Sequence, residues 1–201
     1  MDFLDQYDII LASQSPRRKE LLSGLDIDYR CLLIPDIDES FPESLQGEEI
    51  PKYIAQKKAE AYQSQLTDKS LVITADTIVL LDEKVYGKPV NDDDAKRMLR
   101  ELSGKTHLVI TGVCLTSLHK QVAFSATTEV GFAKLSEEEI DYYVSHYHPL
   151  DKAGAYGVQE WIGYVAVEKM SGSYFNVMGL PIQRLYAELK RWSKNDFSKA
   201  I

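Results

Sequence analysis

The run Leu71-Val72-Ile73-Thr74-Ala75-Asp76-Thr77-Ile78-Val79-Leu80-Leu81 limits the fold more than any other part of this chain. It is nearly all apolar and rich in Val and Ile, which suits a strand buried on both faces. Strand-like and helix-like segments interleave around it. Residues 7–12 read as a strand, 17–24 as a helix, 28–34 as a second strand and 35–47 as a polar acidic loop. Residues 48–66 then read as a helix with an apolar stripe at Ile50, Tyr53, Ile54, Ala61 and Tyr62. After the central run, Asn91-Asp92-Asp93-Asp94 opens a helix to about residue 102, with acids in the first turn where the helix dipole favours them. Residues 107–118 and 121–135 follow as long strands joined by a short polar link, the pattern of a hairpin. Ser136-Glu137-Glu138-Glu139 is a capping box that starts a helix ending near residue 146. A last strand near 164–169 and a terminal helix over 180–192 complete an α/β pattern in which parallel and antiparallel strands are mixed.

Asp76 stands out within the central run, because an acid there would cost several kcal/mol if buried without a partner. A metal ion, a lysine or a catalytic water would each compensate it, and a carboxylate so held can serve as a general base. The plainer alternative is a strand end or bulge at which Asp76 simply reaches solvent.

With 44% hydrophobic residues, 201 residues suffice for one compact domain or for two small lobes. The balance of 23 basic against 31 acidic residues, a net charge of −8, argues against a polyanion as main partner, so cations must be used locally. Cys31 and Cys114 each lie in an apolar run and read as core thiols in a reducing compartment, not as a disulfide or a zinc site. The start Met1-Asp2-Phe3-Leu4-Asp5 lacks the basic, then apolar, character of an export signal, and no later run would span a bilayer. The expectation is a cytoplasmic protein with no membrane partner and no nucleic-acid partner.

Ser13-Gln14-Ser15-Pro16-Arg17-Arg18 joins the first strand to the first helix. Pro16 suits the first helical position and Ser15 can cap the open amides. Ser13, Ser15, Arg17 and Arg18 together with the helix N-terminus would hold phosphate, although an ordinary capped helix with solvated arginines has the same sequence. Glu39 lies in the acidic loop Pro35-Asp36-Ile37-Asp38-Glu39-Ser40, whose spacing is not that of an EF-hand. Lys58 sits on a helix whose alanines permit close packing, although a lysine on a helix is most often surface charge. In Gly87-Lys88-Pro89 the glycine would let the backbone come close and the proline would stiffen the exit, aiming Lys88; an ordinary turn is the alternative. The stretch from Pro149 to Gln159 combines small residues with Tyr156, and the amide of Gln159 could donate to and accept from one edge of a base; a surface loop whose glutamine faces water is the alternative. His146 and His148 have no third ligand and read as structural.

Ser13-Gln14-Ser15-Pro16-Arg17-Arg18 with Leu21-Leu22, Ala75-Asp76-Thr77, Gly87-Lys88-Pro89, Leu102-Ser103-Gly104, Asp151-Lys152-Ala153-Gly154-Ala155-Tyr156-Gly157 and Gly179-Leu180-Pro181 resemble, in content and order, the Maf family. The resemblance runs from residue 9 to about 192. It implies a nucleoside triphosphate pyrophosphatase with the α/β fold shared with inosine triphosphatases, a mixed sheet with two lobes around a central cleft. It also implies a homodimer that uses Mg2+ or Mn2+. One catalytic domain over 1–194 and a polar tail over 195–201 are expected. By position Asp76 matches the family's proton acceptor, and Glu39, Lys58 and Lys88 match its other polar active-site residues. Arg17, Thr77 and Gln159 match positions linked to substrate choice and carry the residues of the branch that resembles dTTP/UTP pyrophosphatases; a second branch, acting on 7-methyl-GTP, has tryptophan after Ser-Pro. Glu39 and Asp76 would hold the metal. The reaction so implied is metal-assisted attack of water on the α-phosphorus of dTTP or UTP, with CTP and modified pyrimidine nucleotides as further candidates. Two other readings are a triphosphate-sensing, non-catalytic regulator of cell division and an RNA-base binder, the latter disfavoured by the acidic balance.

Overall fold

In the computed structural model, which describes residues 3–197, the central apolar run is a strand over Ser70–Leu81, buried except at the partly exposed Asp76, Thr77 and Leu80. The elements in chain order are β1 (Asp8–Leu11), α1 (Pro16–Ser23), β2 (Arg30–Cys31), α2 (Glu49–Glu60), β3 (Ser70–Leu81), β4 (Lys84–Tyr86) and α3 (Asp92–Leu102). They continue with β5 (Thr106–Thr116), β6 (Gln121–Phe132), α4 (Glu137–Tyr147), α5 (Trp161–Ala166), β7 (Val167–Ser171), α6 (Tyr174–Met178) and α7 (Ile182–Phe197). The strands hydrogen-bond in the order β2-β1-β3-β5-β6-β7, with β4 paired to β3. β1 runs parallel to both β2 and β3, whereas β4 on β3 and β7 on β6 are antiparallel, so the sheet is mixed as the sequence predicts. The link between β5 and β6 is closed by Ser117 N–H donating to the Lys120 carbonyl at 2.8 Å, and a link that short joins antiparallel strands.

Two units divide the chain, and β3, β5 and β6 each pass from one into the other. The first holds the chain up to Asp76, Gly112–Ala126 and the chain from Gly179; the second holds Thr77–Thr111 and Thr127–Met178. In the first, Ile10, Val72 and Tyr62 form one buried cluster, and Ala55, Ala59 and Cys114 form another that seats α2. Helix and strand come together there because Gly112 has no side chain: a Cβ at that position would stand 2.2 Å from the Pro51 carbonyl carbon. In the second unit α3 packs against α4, and the fully buried Leu99, Leu102, Tyr143, Val144 and Ile162 belong to its core.

Several boundaries differ from the sequence reading. Only Arg30–Cys31 of the expected strand 28–34 pairs, at the sheet edge, and both residues are exposed, so Cys31 is not a core thiol. Cys114 is buried, and burial pushes its thiol up to about 11. The helix expected to reach residue 66 stops at Glu60, and a 3-10 turn follows at Gln63–Gln65. Tyr62 ends it by turning inward, its hydroxyl bonded to the Leu32 carbonyl and the Ile34 N–H at 3.1 Å each. The strand expected over 164–169 begins only at Val167; Trp161–Ala166 is helical despite its β-favouring residues, with Gly163 packed so closely that a Cβ would stand 1.8 Å from the Val158 carbonyl oxygen. β4, missing from the sequence reading, returns from β3 through a tight turn in which Asp82 takes φ 54°. The terminal helix starts at Ile182 and runs to Phe197, and the end of the expected tail, 198–201, lies outside the described residues.

Candidate active site

The corner after β1 forms as its residue types dictate. Ser15 caps α1 by accepting from Arg18 N–H at 3.4 Å, with Pro16 in the first turn, and the buried Ser13 hydroxyl accepts from Ser15 N–H at 3.2 Å. Arg17 lies partly buried in that first turn. Arg18 turns inward: its Nε donates to the Gly179 carbonyl and its Nη1 to the Ala75 carbonyl, both at 2.8 Å. Part of its donor set thus ties the helix to β3 and to the turn before α7. Burial lowers the Arg18 pKa from its ordinary value, and the opposite charges of Asp76 and Glu39 oppose that.

Asp76 meets a lysine. Lys58 Nζ stands 2.7 Å from Asp76 Oδ1 and 2.9 Å from Glu39 Oε1, so one ammonium bridges two carboxylates. The side chains of Lys58 and Asp76 are each only 13% exposed, which removes the strand-end alternative. The register follows from the packing of α2. Thr74, two residues before Asp76 and on the same face of β3, donates its hydroxyl to the Ala55 carbonyl at 2.6 Å, and Lys58 lies one helical turn beyond Ala55. The neighbouring lysine does a different job. Lys57 Nζ donates to Asp38 Oδ2 at 2.6 Å, to the Ser40 carbonyl at 3.0 Å and to Ser40 Oγ at 3.1 Å, gripping the residues on either side of Glu39. Lys57 and Ser40 hold the Asp38 carboxyl well below the usual carboxylate range.

The remaining predicted residues belong to the second unit. The hydroxyls of Thr77 and Thr111 are 2.9 Å apart, and Thr111 donates onward to the Asn176 carbonyl at 3.1 Å. Lys88 is exposed. Its flanking Gly87 is not a point of close approach, since a Cβ there would meet nothing within 4 Å. The tight spot is Gly154, with φ 68° and a Cβ position 2.8 Å from Val79 Cγ2, and its N–H donates to the Gly87 carbonyl at 3.0 Å. Gln159 Oε1 is buried with no hydrogen-bond partner, an uncommon condition for an amide oxygen.

Three side chains escape the sequence reading. Lys152 is 7% exposed and pairs with Asp151 at 2.7 Å and Glu160 at 3.1 Å, and Glu160 also accepts from the hydroxyl of the fully buried Tyr143. A lysine among small residues is the signal at 152; Tyr143 sits with Ile140 and Val144 on the apolar face of α4 and reads as packing alone.

No group of three or more His, Cys, Asp or Glu side chains among the described residues could hold a metal ion by itself. Asp76 and Glu39 nevertheless offer two hard oxygen donors from one cluster, and Mg2+ or Mn2+ bound to phosphates takes one or two carboxylates from protein. No helix among the described residues is long and apolar enough to cross a membrane.

Comparison with known proteins places this arrangement in context. A family model described as Maf-like protein matches residues 8–192. A dTTP/UTP pyrophosphatase of Bacteroides fragilis is 64% identical over 188 residues, covering 94% of this chain and 97% of that protein. One of the same description from Phocaeicola vulgatus is 62% identical over 191 residues, covering 95% and 99%. Among solved structures, a HAM1 protein from Coxiella burnetii aligns at 19% identity with a TM-score of 0.45, covering 64% of this chain and 74% of that one.

Proposed function

The chain belongs to the Maf-like family, and from that membership we propose that it is a nucleoside triphosphate pyrophosphatase acting on dTTP and UTP. Water attacks the α-phosphorus, the α–β anhydride bond breaks, and nucleoside monophosphate and pyrophosphate leave. The observation that carries the reading is the Lys58 ammonium bridging Asp76 and Glu39 at 2.7 and 2.9 Å. Asp76 takes the proton of the attacking water as general base. Lys58 compensates the partly buried Asp76 carboxylate and offers positive charge to the phosphates, which carry about four negative charges. Ser13, Ser15, Arg17 and Arg18 add donors at the α1 N-terminus, and Lys88 adds a further cation. Arg17, Thr77 and Gln159 select the nucleotide. The partnerless Gln159 oxygen suits the N3–H of uracil or thymine.

A divalent cation held by Asp76 and Glu39 would neutralise phosphate charge when bound. Mg2+ or Mn2+ as cofactor and a homodimer, which rest on the family resemblance, complete the reading together with a cytoplasmic location and one catalytic domain over 1–194. The test is pyrophosphate release from dTTP with Mg2+ by the wild type and by Asp76→Asn. Loss of a positioned general base should lower kcat by about 10²–10⁴-fold. Near-normal turnover by a folded Asp76→Asn protein removes Asp76 from the mechanism. A wild type that binds dTTP and leaves it intact is instead a triphosphate sensor.

A further inference from the structure

Lys152, Glu160 and Tyr143 form a continuous polar chain around the segment that carries Gln159. Lys152 Nζ donates to Asp151 Oδ1 at 2.7 Å and pairs with Glu160 Oε1 at 3.1 Å; Glu160 Oε2 accepts from the Tyr143 hydroxyl, which itself accepts from Gly157 N–H at 3.0 Å. The loop is closed a second time by Glu160 N–H donating to the Gly157 carbonyl at 2.9 Å. Tyr143 therefore holds the residue two places before Gln159 by its backbone and the residue just after it by its side chain. The Gln159 amide folds back over Gly157, where a Cβ would stand 3.0 Å from Gln159 Nε2 and 2.9 Å from Glu160 Cδ. With its oxygen buried and unpartnered, Gln159 is not oriented by a hydrogen bond of that atom; the segment around it must do the orienting. Burial and the neighbouring Glu160 raise the Tyr143 pKa well above its ordinary value, so the phenol stays a donor across the working pH range.

We infer that Tyr143, with Glu160 and Lys152, is a positioning residue that sets base selectivity by fixing the direction of the Gln159 amide. This rests on the reading that Gln159 faces the base. An amide oxygen held in place accepts from the N3–H of uracil or thymine and is repelled by the N3 lone pair of cytosine. An amide allowed to turn presents its NH2 instead and loses that discrimination, because a site rejects an analogue strongly only while its polar groups are fixed.

The experiment compares kcat/KM for UTP and CTP in the wild type, Tyr143→Phe, Glu160→Gln and Gln159→Ala, with thermal unfolding of each. Tyr143→Phe keeps the ring stacked on Tyr147 and removes only the hydroxyl. Its UTP/CTP ratio should fall about tenfold, chiefly by a gain on CTP relative to UTP, and Glu160→Gln should move the ratio the same way should Tyr143→Phe fail to fold. A lower melting temperature with both substrates slowed equally, hence an unchanged ratio, overturns the inference. So does an unchanged ratio in Gln159→Ala, which removes the base-facing reading itself; a ratio altered by Gln159→Ala alone overturns only the role given to Tyr143.

Discussion

His107 should make the stability of this protein depend on pH in a window where carboxylates are silent. It is 1% exposed, its Nε2 lies 2.8 Å from the Tyr156 hydroxyl, and its Nδ1 is buried with no partner. The rings of Phe132 and Tyr156 close edge-on at 4.9 and 5.5 Å. An imidazolium here would need a home for a second N–H and has none, and burial pushes the His107 pKa down to about 4 from 6.5. The unfolded chain thus takes a proton below pH 6.5 that the folded chain refuses until about pH 4, so unfolding free energy falls as pH drops through that interval and is complete above it. Linkage between those two values gives a loss of about 2 kcal/mol between pH 7 and pH 5. The carboxylates whose pKa is lowered, such as Glu101 at about 2, release their contribution only below about 4.5. His107→Gln keeps a hydrogen-bonding group for Tyr156 but does not titrate. Urea unfolding followed by circular dichroism at pH 7, 6 and 5 should show the slope in the wild type and a flat profile in the variant. Equal slopes in the two proteins would refute the argument.

Three further outcomes follow from the first unit. Gly112→Ala should lower stability by about 3 kcal/mol, read as a fall in melting temperature, because its Cβ would collide with the Pro51 backbone, which cannot give way as a side chain could. Lys57→Met should lower kcat/KM by no more than about fivefold, since the Asp38 end of its ion pair is largely exposed, and Lys57→Arg should restore most of it. Glu39→Gln should raise the Mg2+ concentration needed for half-maximal activity about tenfold while leaving the melting temperature near that of the wild type, as titration with Mg2+ against a chelator would show.

How far the sequence reveals this protein depends on whether the signal is local. The central strand, the Ser15 cap, the capping box at Ser136 and the helix after Asn91 are written in neighbouring residues, and they form where expected. Asp76 is conspicuous for the same reason, being an acid in an apolar run. Its partner is not conspicuous, because nothing in Ala55-Gln56-Lys57-Lys58-Ala59 says which lysine faces the strand. That is decided by Gly112, more than fifty residues away, which lets α2 settle against β5. The exposure of Cys31 and the helical turn at Trp161–Ala166 escape for a related reason: a two-residue edge strand and a six-residue helix carry too little periodicity to report their surroundings. Tyr143 is hidden differently, since a tyrosine on the apolar face of a helix looks like packing whether or not its hydroxyl is used.

The Lys58 bridge makes its two ends unequal as probes. Replacing Asp76 by Asn removes one carboxylate and leaves Lys58 Nζ still paired with Glu39 at 2.9 Å, so no charge is stranded and the amide can accept the hydrogen bond that the acid accepted. Stability should change by no more than about 1 kcal/mol while turnover collapses, which is what makes Asp76→Asn a clean test of chemistry. Lys58→Met does the opposite. It leaves the carboxylates of Asp76 and Glu39 facing each other without the ammonium between them, one of them only 13% exposed, and breaking a buried pair from one side costs about 3 kcal/mol or more. Activity lost in Lys58→Met therefore mixes unfolding with chemistry, and only the double variant Lys58→Met/Asp76→Asn, which relieves the stranded charge, should recover stability without recovering turnover. Denaturant midpoints of the two single variants and the double variant check this directly; a double variant no more stable than Lys58→Met would mean that the ammonium does not serve to neutralise Asp76.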